Sequence, residues 1–168
     1  MHIREVEIGD AKALLEMQCQ LDQQTKNMMF EEDERPRDVS FIENKIKSLS
    51  EENSLMLVAE KHGKIVGFLS AERGMYRRIQ HTVYIVVGIL VGYRGLGIGS
   101  ALFKVLDEWT QKNQITRLEL TVMCHNTTAI ALYRKNGFEI EGIKKHAMYV
   151  EGNYIDEYYM AKVVDIQK

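Results

Sequence analysis

The chain reads as an α/β protein: a mixed, mostly antiparallel sheet of seven strands flanked by helices, forming one domain over residues 1–168. Three observations predict this. Short segments with strand-like apolar patterning alternate with amphipathic stretches of helical period. The longest apolar run, from Val83 to Val91, has the length of one buried strand. Two long C-terminal segments flank a Gly-Asn turn, which makes them a hairpin rather than a parallel crossover.

Taken in order, residues 3–7 alternate as a first strand, and Asp10 caps a helix reaching about Gln23. An irregular polar stretch, residues 24–38, holds the only proline, Pro36. Residues 41–49 have helical spacing. Residues 55–61 and 64–72 form a hairpin turning at His62-Gly63. Residues 82–90 make the central strand, and a helix follows over about residues 97–112. Residues 117–122 are short, aliphatic and β-branched, as a strand requires. Asn126 caps a short helix that Gly137 ends. Residues 138–150 and 154–164 complete the sheet, joined at Gly152-Asn153.

Composition narrows the function classes. An apolar fraction of 45% with 27% charged residues is ordinary soluble usage. A net charge of −2 gives no reason to invoke nucleic acid or an anionic membrane. The N-terminal segment holds no apolar signal-peptide core, and no run approaches a membrane span. Two cysteines, Cys19 and Cys124, make neither a disulfide framework nor a metal cluster. A cytoplasmic protein with reduced thiols is expected. Cys124 follows a strand and lies close to Asn126, but no His at a fixed spacing supports it as a nucleophile.

The segment from Val91 to Leu102 carries most of the chemistry. A strand, a glycine-rich turn and a helix N-terminus together make an anion site, because the first-turn N–H groups lack intrahelical acceptors. Three phosphate loops compete. A P-loop fails, since Ile98 and Gly99 stand where Lys and Ser/Thr must be. A dinucleotide fingerprint from Gly95 meets Ser100 at its third position, and its acidic partner would be Glu119, inside a strand. The third pattern, Arg/Gln-x-x-Gly-x-Gly/Ala, is met by Arg94-Gly95-Leu96-Gly97-Ile98-Gly99.

A second half-motif lies downstream. Asn126, Ala129 or Ile130, and Tyr133 share one face of the short helix, and Gly137-Phe138 follows it. With both halves in this order, the chain resembles the GCN5-related N-acetyltransferase (GNAT) family. The resemblance implies the acyl-CoA N-acyltransferase fold and acetyl-CoA as cosubstrate. It implies that Arg94, Gly95, Leu96, Gly97, Ile98, Gly99 and Ser100 cradle the pyrophosphate. It also implies that Ile89, Leu90 and Val91 pair with the pantetheine arm, with Gly88 a plausible bulge residue. Asn126 would contact the cofactor, and Tyr133 would sit near its sulfur as general acid.

Members of the family commonly place a Glu on the central strand to deprotonate the amine. This strand has none; its polar members are His81, Thr82 and Tyr84. A water relay, or a carboxylate from another element, is expected instead, with His81 a weaker candidate. The acceptor is an amine, a small molecule slightly favoured over a protein. The acidic run Glu31-Glu32-Asp33-Glu34, beside Met28-Met29-Phe30, either rims its site or is a solvated loop. Tyr149, Tyr154, Tyr158 and Tyr159 either line the same cleft or pack the sheet. The alternative function is a non-catalytic acetyl-CoA-binding module. A homodimer is compatible with the family, although no segment marks an interface.

Overall fold

The computed structural model describes residues 1–165. Its strands are β1 (His2–Glu5), β2 (Leu55–Lys61), β3 (Lys64–Arg73), β4 (Thr82–Ile89), β5 (Arg117–Met123), β6 (Glu139–Val150) and β7 (Asn153–Val163). Its helices are α1 (Ala11–Gln24), α2 (Val39–Glu51), α3 (Ile98–Lys112) and α4 (Thr127–Lys135). The strands form one sheet in the order β1-β2-β3-β4-β5-β7-β6. Every pairing is antiparallel except β4 with β5. This is the seven-stranded mixed sheet that the sequence predicts.

Apolar side chains fill both faces. On one, Leu102, Phe103 and Leu106 of α3 pack with Tyr133 of α4 onto Val83, Ile85, Leu118, Leu120 and Met160. On the other, Leu14 and Leu21 of α1 and Ile42 and Ile46 of α2 cover Val58, Phe68 and Leu90. The helices α1 and α2 thus cover the β2–β4 half of their face, and β5, β7 and β6 continue beyond them.

Four local expectations are corrected. Asp10 does not cap α1: its carboxylate accepts from the Glu7 N–H at 2.8 Å and from Arg4 at 2.7 and 2.8 Å, closing a 3₁₀ turn before the helix. The last hairpin turns at Glu151-Gly152, one residue earlier than expected. Both have positive φ (48° and 82°), the twist that a two-residue hairpin loop needs, and Asn153 already pairs with Val150. The first strand ends at Glu5, two residues short of the expected end. Gly88 is not at a bulge, because the β3–β4 register runs unbroken through Phe68↔Gly88. A Cβ there would stand 2.5 Å from Leu21 and 2.6 Å from the Phe68 ring. Close packing of α1 onto the sheet demands glycine at this position.

The stretch between α1 and α2 is irregular but anchored. Arg35 is buried, and its guanidinium donates to both oxygens of buried Asp22 and to Gln18 Oε1 at 3.0 Å. The same guanidinium sits 4.5 Å over the Phe30 ring. Truncating Arg35 to Ala should cost about 3–5 kcal/mol, since it leaves the Asp22 carboxylate buried without its cation. Urea unfolding of the Arg35→Ala variant checks this; a loss below about 1 kcal/mol would show the pair to be dispensable.

Candidate active site

The site begins where β4 and β5 part. They pair over only three positions, Thr82↔Arg117 to Tyr84↔Glu119, and then diverge. The Leu90 N–H donates to Val66 O at 3.0 Å, which commits the even-numbered amides of β4 to β3. The odd-numbered amides face β5, so those of Val87 and Ile89 point into the opening. A cleft of about 570 Å³ occupies it, lined by residues 84–89 of β4, Thr121–Met123 of β5 and the α3 N-terminus. The polar backbone there is a ready partner for an extended chain added as another strand.

At one end lies the glycine loop. Gly95 and Gly97 hold φ of 74° and 79°, conformations that side-chain-bearing residues rarely adopt. Gly97 is the α3 N-cap and has no side chain to satisfy the first-turn N–H groups. Residues 94–97 are exposed, so these donors and the helix dipole are open to an anion. Arg94 Nε donates to Ile89 O at 3.2 Å, and among the described residues no carboxylate pairs with its guanidinium. Gly99 is buried differently: a Cβ would meet Leu132 at 2.7 Å, so this glycine lets α4 approach α3. Within the Ile89–Val91 stretch, the Val91 N–H is held by Gln24 Oε1 at 2.9 Å. A cofactor arm pairing there would displace that side chain.

The helix α4 forms the opposite wall. Asn126 Oδ1 accepts from the Ala129 N–H at 3.3 Å as N-cap, which leaves its NH₂ group for a ligand carbonyl. Tyr133, seven residues on, lines the cleft and packs against Phe103 and Phe138, each at 6.0 Å between centroids. Burial pushes its phenol well above the ordinary tyrosine range, with nearby Tyr84 adding a smaller upward push. The side chain therefore stays a proton donor throughout the working range.

Other sequence candidates fall outside this cleft. His81 is exposed at the far end of β4, about eight residues or ~26 Å of strand from Ile89. The four acidic residues 31–34 are exposed and do not line the cleft, whereas Met28 and Met29 beside them do. Of the tyrosines, Tyr149 packs at a tilt against Tyr154 across the hairpin at 5.1 Å, and Tyr154 stacks on His146 at 4.6 Å. Tyr158 packs against the core, and Tyr159 lines a separate cavity of about 350 Å³. Cys124 does not line the cleft. The sequence reading did not single out Asn27, Met148 and Glu157, which do line it. Only the strand register could have found Glu157, because it sits opposite Met123 of β5.

A splayed parallel pair with an anion-binding loop at one end and a buried tyrosine beside the opening defines a group-transfer site for a phosphate-bearing cosubstrate. Comparison with known proteins specifies the class. A model of the acetyltransferase (GNAT) family matches residues 16–138. The L-amino acid N-acetyltransferase AaaT of Escherichia coli (strain K12) is 36% identical over 111 residues, 64% of this chain and 67% of that protein. A GNAT-family acetyltransferase from Streptococcus pneumoniae superposes with a TM-score of 0.93 at 31% identity, over 98% of this chain and 99% of that one. A ribosomal-protein-alanine N-acetyltransferase from Brucella melitensis superposes with a TM-score of 0.87 at 25% identity, over 98% and 100%. The chain belongs to the GNAT family and is of the N-acetyltransferase class. Among the described residues no helix is long and apolar enough to cross a membrane.

The raised Tyr133 pKa links to stability with a definite sign. The folded state keeps this proton above pH 10, where the unfolded chain releases its own, so stability falls as pH rises past that value. Tyr133→Phe should flatten the decline between pH 9.5 and 11 in urea unfolding. An unchanged slope would mean the phenol is not held protonated by burial.

Proposed function

We propose that this protein, acting as one domain, transfers the acetyl group of acetyl-CoA directly to a primary amine, and that the acceptor is a small molecule. The observation that carries this reading is one continuous cleft joining the anion-binding α3 N-terminus to Tyr133 through the β4–β5 opening. Pyrophosphate fits the exposed turn at residues 95–97, the α3 N-terminus behind it and the Arg94 guanidinium. The pantetheine arm fits the strand-like edge offered by Val87 and Ile89.

Acetyl transfer makes demands these groups meet. Negative charge grows on the thioester oxygen as nitrogen attacks, and a preorganised β4 N–H can stabilise it without reorganisation. The departing thiolate needs a proton, and Tyr133 is a protonated donor in an apolar wall. The nucleophile must be neutral, yet an alkylamine with a pKa near 10.4 is only ~0.04% neutral at pH 7, a penalty of roughly 4.6 kcal/mol. For a small acceptor, support comes from the concave shape of the cleft, whose lining includes Asn27, Met28, Met148 and Glu157. The two relatives named for their acceptors act on an amino acid and on a ribosomal-protein alanine, so the amine is common to both and its bearer differs.

Calorimetry with acetyl-CoA, CoA and NAD tests the cofactor: micromolar acetyl-CoA binding without NAD binding is expected. Absence of acetyl-CoA binding would remove the whole reading. With the cofactor established, Tyr133→Phe should lower kcat by about 10²–10⁴-fold while leaving acetyl-CoA affinity within about twofold. Unchanged turnover would exclude Tyr133 as the acid.

A further inference from the structure

Two carboxylates are buried among the described residues, Asp22 and Glu157, and they are treated very differently. Asp22 receives two guanidinium hydrogen bonds from Arg35. Glu157, 8% exposed, receives no protein hydrogen bond among the described residues. Its nearest cation is Lys144 Nζ at 3.9 Å, beyond hydrogen-bonding distance, on a side chain that is half in solvent. The Glu157 oxygens are not among the sealed, unpartnered atoms of the described residues, and Glu157 lines the cleft, so its carboxylate is reachable from there and has acceptor capacity left for a ligand.

Asn27 lines the same cleft, but its Oδ1 is sealed from it, so among these two residues the Glu157 carboxylate is the acceptor that the cleft offers. A ligand group with several N–H donors and positive charge answers a carboxylate, and an ammonium is such a group.

Sheet geometry fixes which end of the cleft this is. Met160 and Lys162 of β7 face α3, Met160 in the core and Lys162 bonded to Asp107. Glu157 has the opposite parity, as does its β5 partner Met123, so it projects to the α1/α2 side of the sheet. Tyr133 packs on the α3 side. The β4–β5 opening is the passage between the two sides, so a thioester seated there meets Tyr133 from one and Glu157 from the other.

We infer that Glu157 is the general base of this enzyme and the anchor for the acceptor's ammonium group, supplying from β7 the carboxylate that β4 lacks. The inference rests on the acetyl-transfer reading above. The ammonium gives one proton to the Glu157 carboxylate. The neutral nitrogen then attacks the thioester carbonyl carbon, and the C–N bond forms. As the C–S bond breaks, Tyr133 protonates the sulfur and recovers the second nitrogen proton, and the Glu157 proton leaves to solvent. The sum is ammonium plus acetyl-CoA giving amide, CoA thiol and one proton. Glu157 stands opposite Met123 of β5 and Lys144 of β6 in the sheet, and it shares the cleft lining with Tyr84, Thr121, Asn27 and Met28 and with the cations Arg94 and Lys135.

The test compares wild type with Glu157→Gln, using acetyl-CoA and the fastest acceptor among phenethylamine, spermidine, L-phenylalanine and an alanine-terminated peptide. Acetyl-CoA affinity by calorimetry should be unchanged. At pH 7, kcat/KM for the amine should fall about 10²-fold or more. Near pH 10, where much of the amine is already neutral, the gap should close to within about threefold. A loss of the same size at both pH values marks a structural role and overturns the inference, as does undiminished activity at pH 7. Wild type that binds acetyl-CoA but acetylates none of the four overturns the acetyl-transfer reading and this inference with it.

Discussion

Everything functional in this protein depends on one missing interaction: the parallel ladder between β4 and β5 stops after Tyr84↔Glu119. Had it continued, the amides of Val87 and Ile89 would be paired and the sheet closed. Left open, they are unmet backbone groups at the centre of a domain, a state that folding tolerates only where a ligand or water can satisfy them. The gap is held open because each strand is committed elsewhere. β4 is paired along its length with β3, and β5 along its length with β7. Tyr84 and Thr121 close the last bridge below the gap through a 2.9 Å hydrogen bond between their hydroxyls.

Around that gap the charges are sorted. The α3 end presents unpaired N–H groups and Arg94, which attract anions; the β7 wall presents the Glu157 carboxylate, which attracts cations. In the proposed reaction, a cosubstrate carrying phosphates and an acceptor carrying an amine would be drawn to opposite ends of one cleft. The middle of the cleft is apolar, with Ile85, Val87 and Tyr133 along it.

The parts of this arrangement that were legible in the sequence are those encoded locally. Arg94 to Gly99 lie within six consecutive residues, and Asn126 and Tyr133 lie two helical turns apart, so spacing alone places them together. The order of elements along the chain followed from hairpin signals and the helix pattern. What stayed hidden depends on through-space contact. Gly88 looks like any strand glycine until Leu21 and Phe68 are known to press on it. Asp10 has a helix-capping identity and position, but Arg4 and the Glu7 N–H claim its oxygens first. Glu157 carries no local signature. Its importance comes from the placement of β7 between β5 and β6, which sets it opposite Met123, far from Asn126 in sequence and on the wall of the same cleft.

The two-sided arrangement also explains why the base need not lie on β4. Beyond Tyr84, a residue on β4 that faces the acceptor side would compete for space with α1, because Val86 and Gly88, and Leu90 just after the strand, pack against Leu21 and its neighbours. At Gly88 the approach is so close that even a methyl group clashes. A carboxylate at that position would be driven into the α1 interface, whereas β7 lies beyond the helices on this face and has room for one. The close packing of α1 and the position of the proposed base are thus two consequences of one asymmetry: helices cover the β2–β4 half of this sheet face and leave the β5–β7 half free for the acceptor.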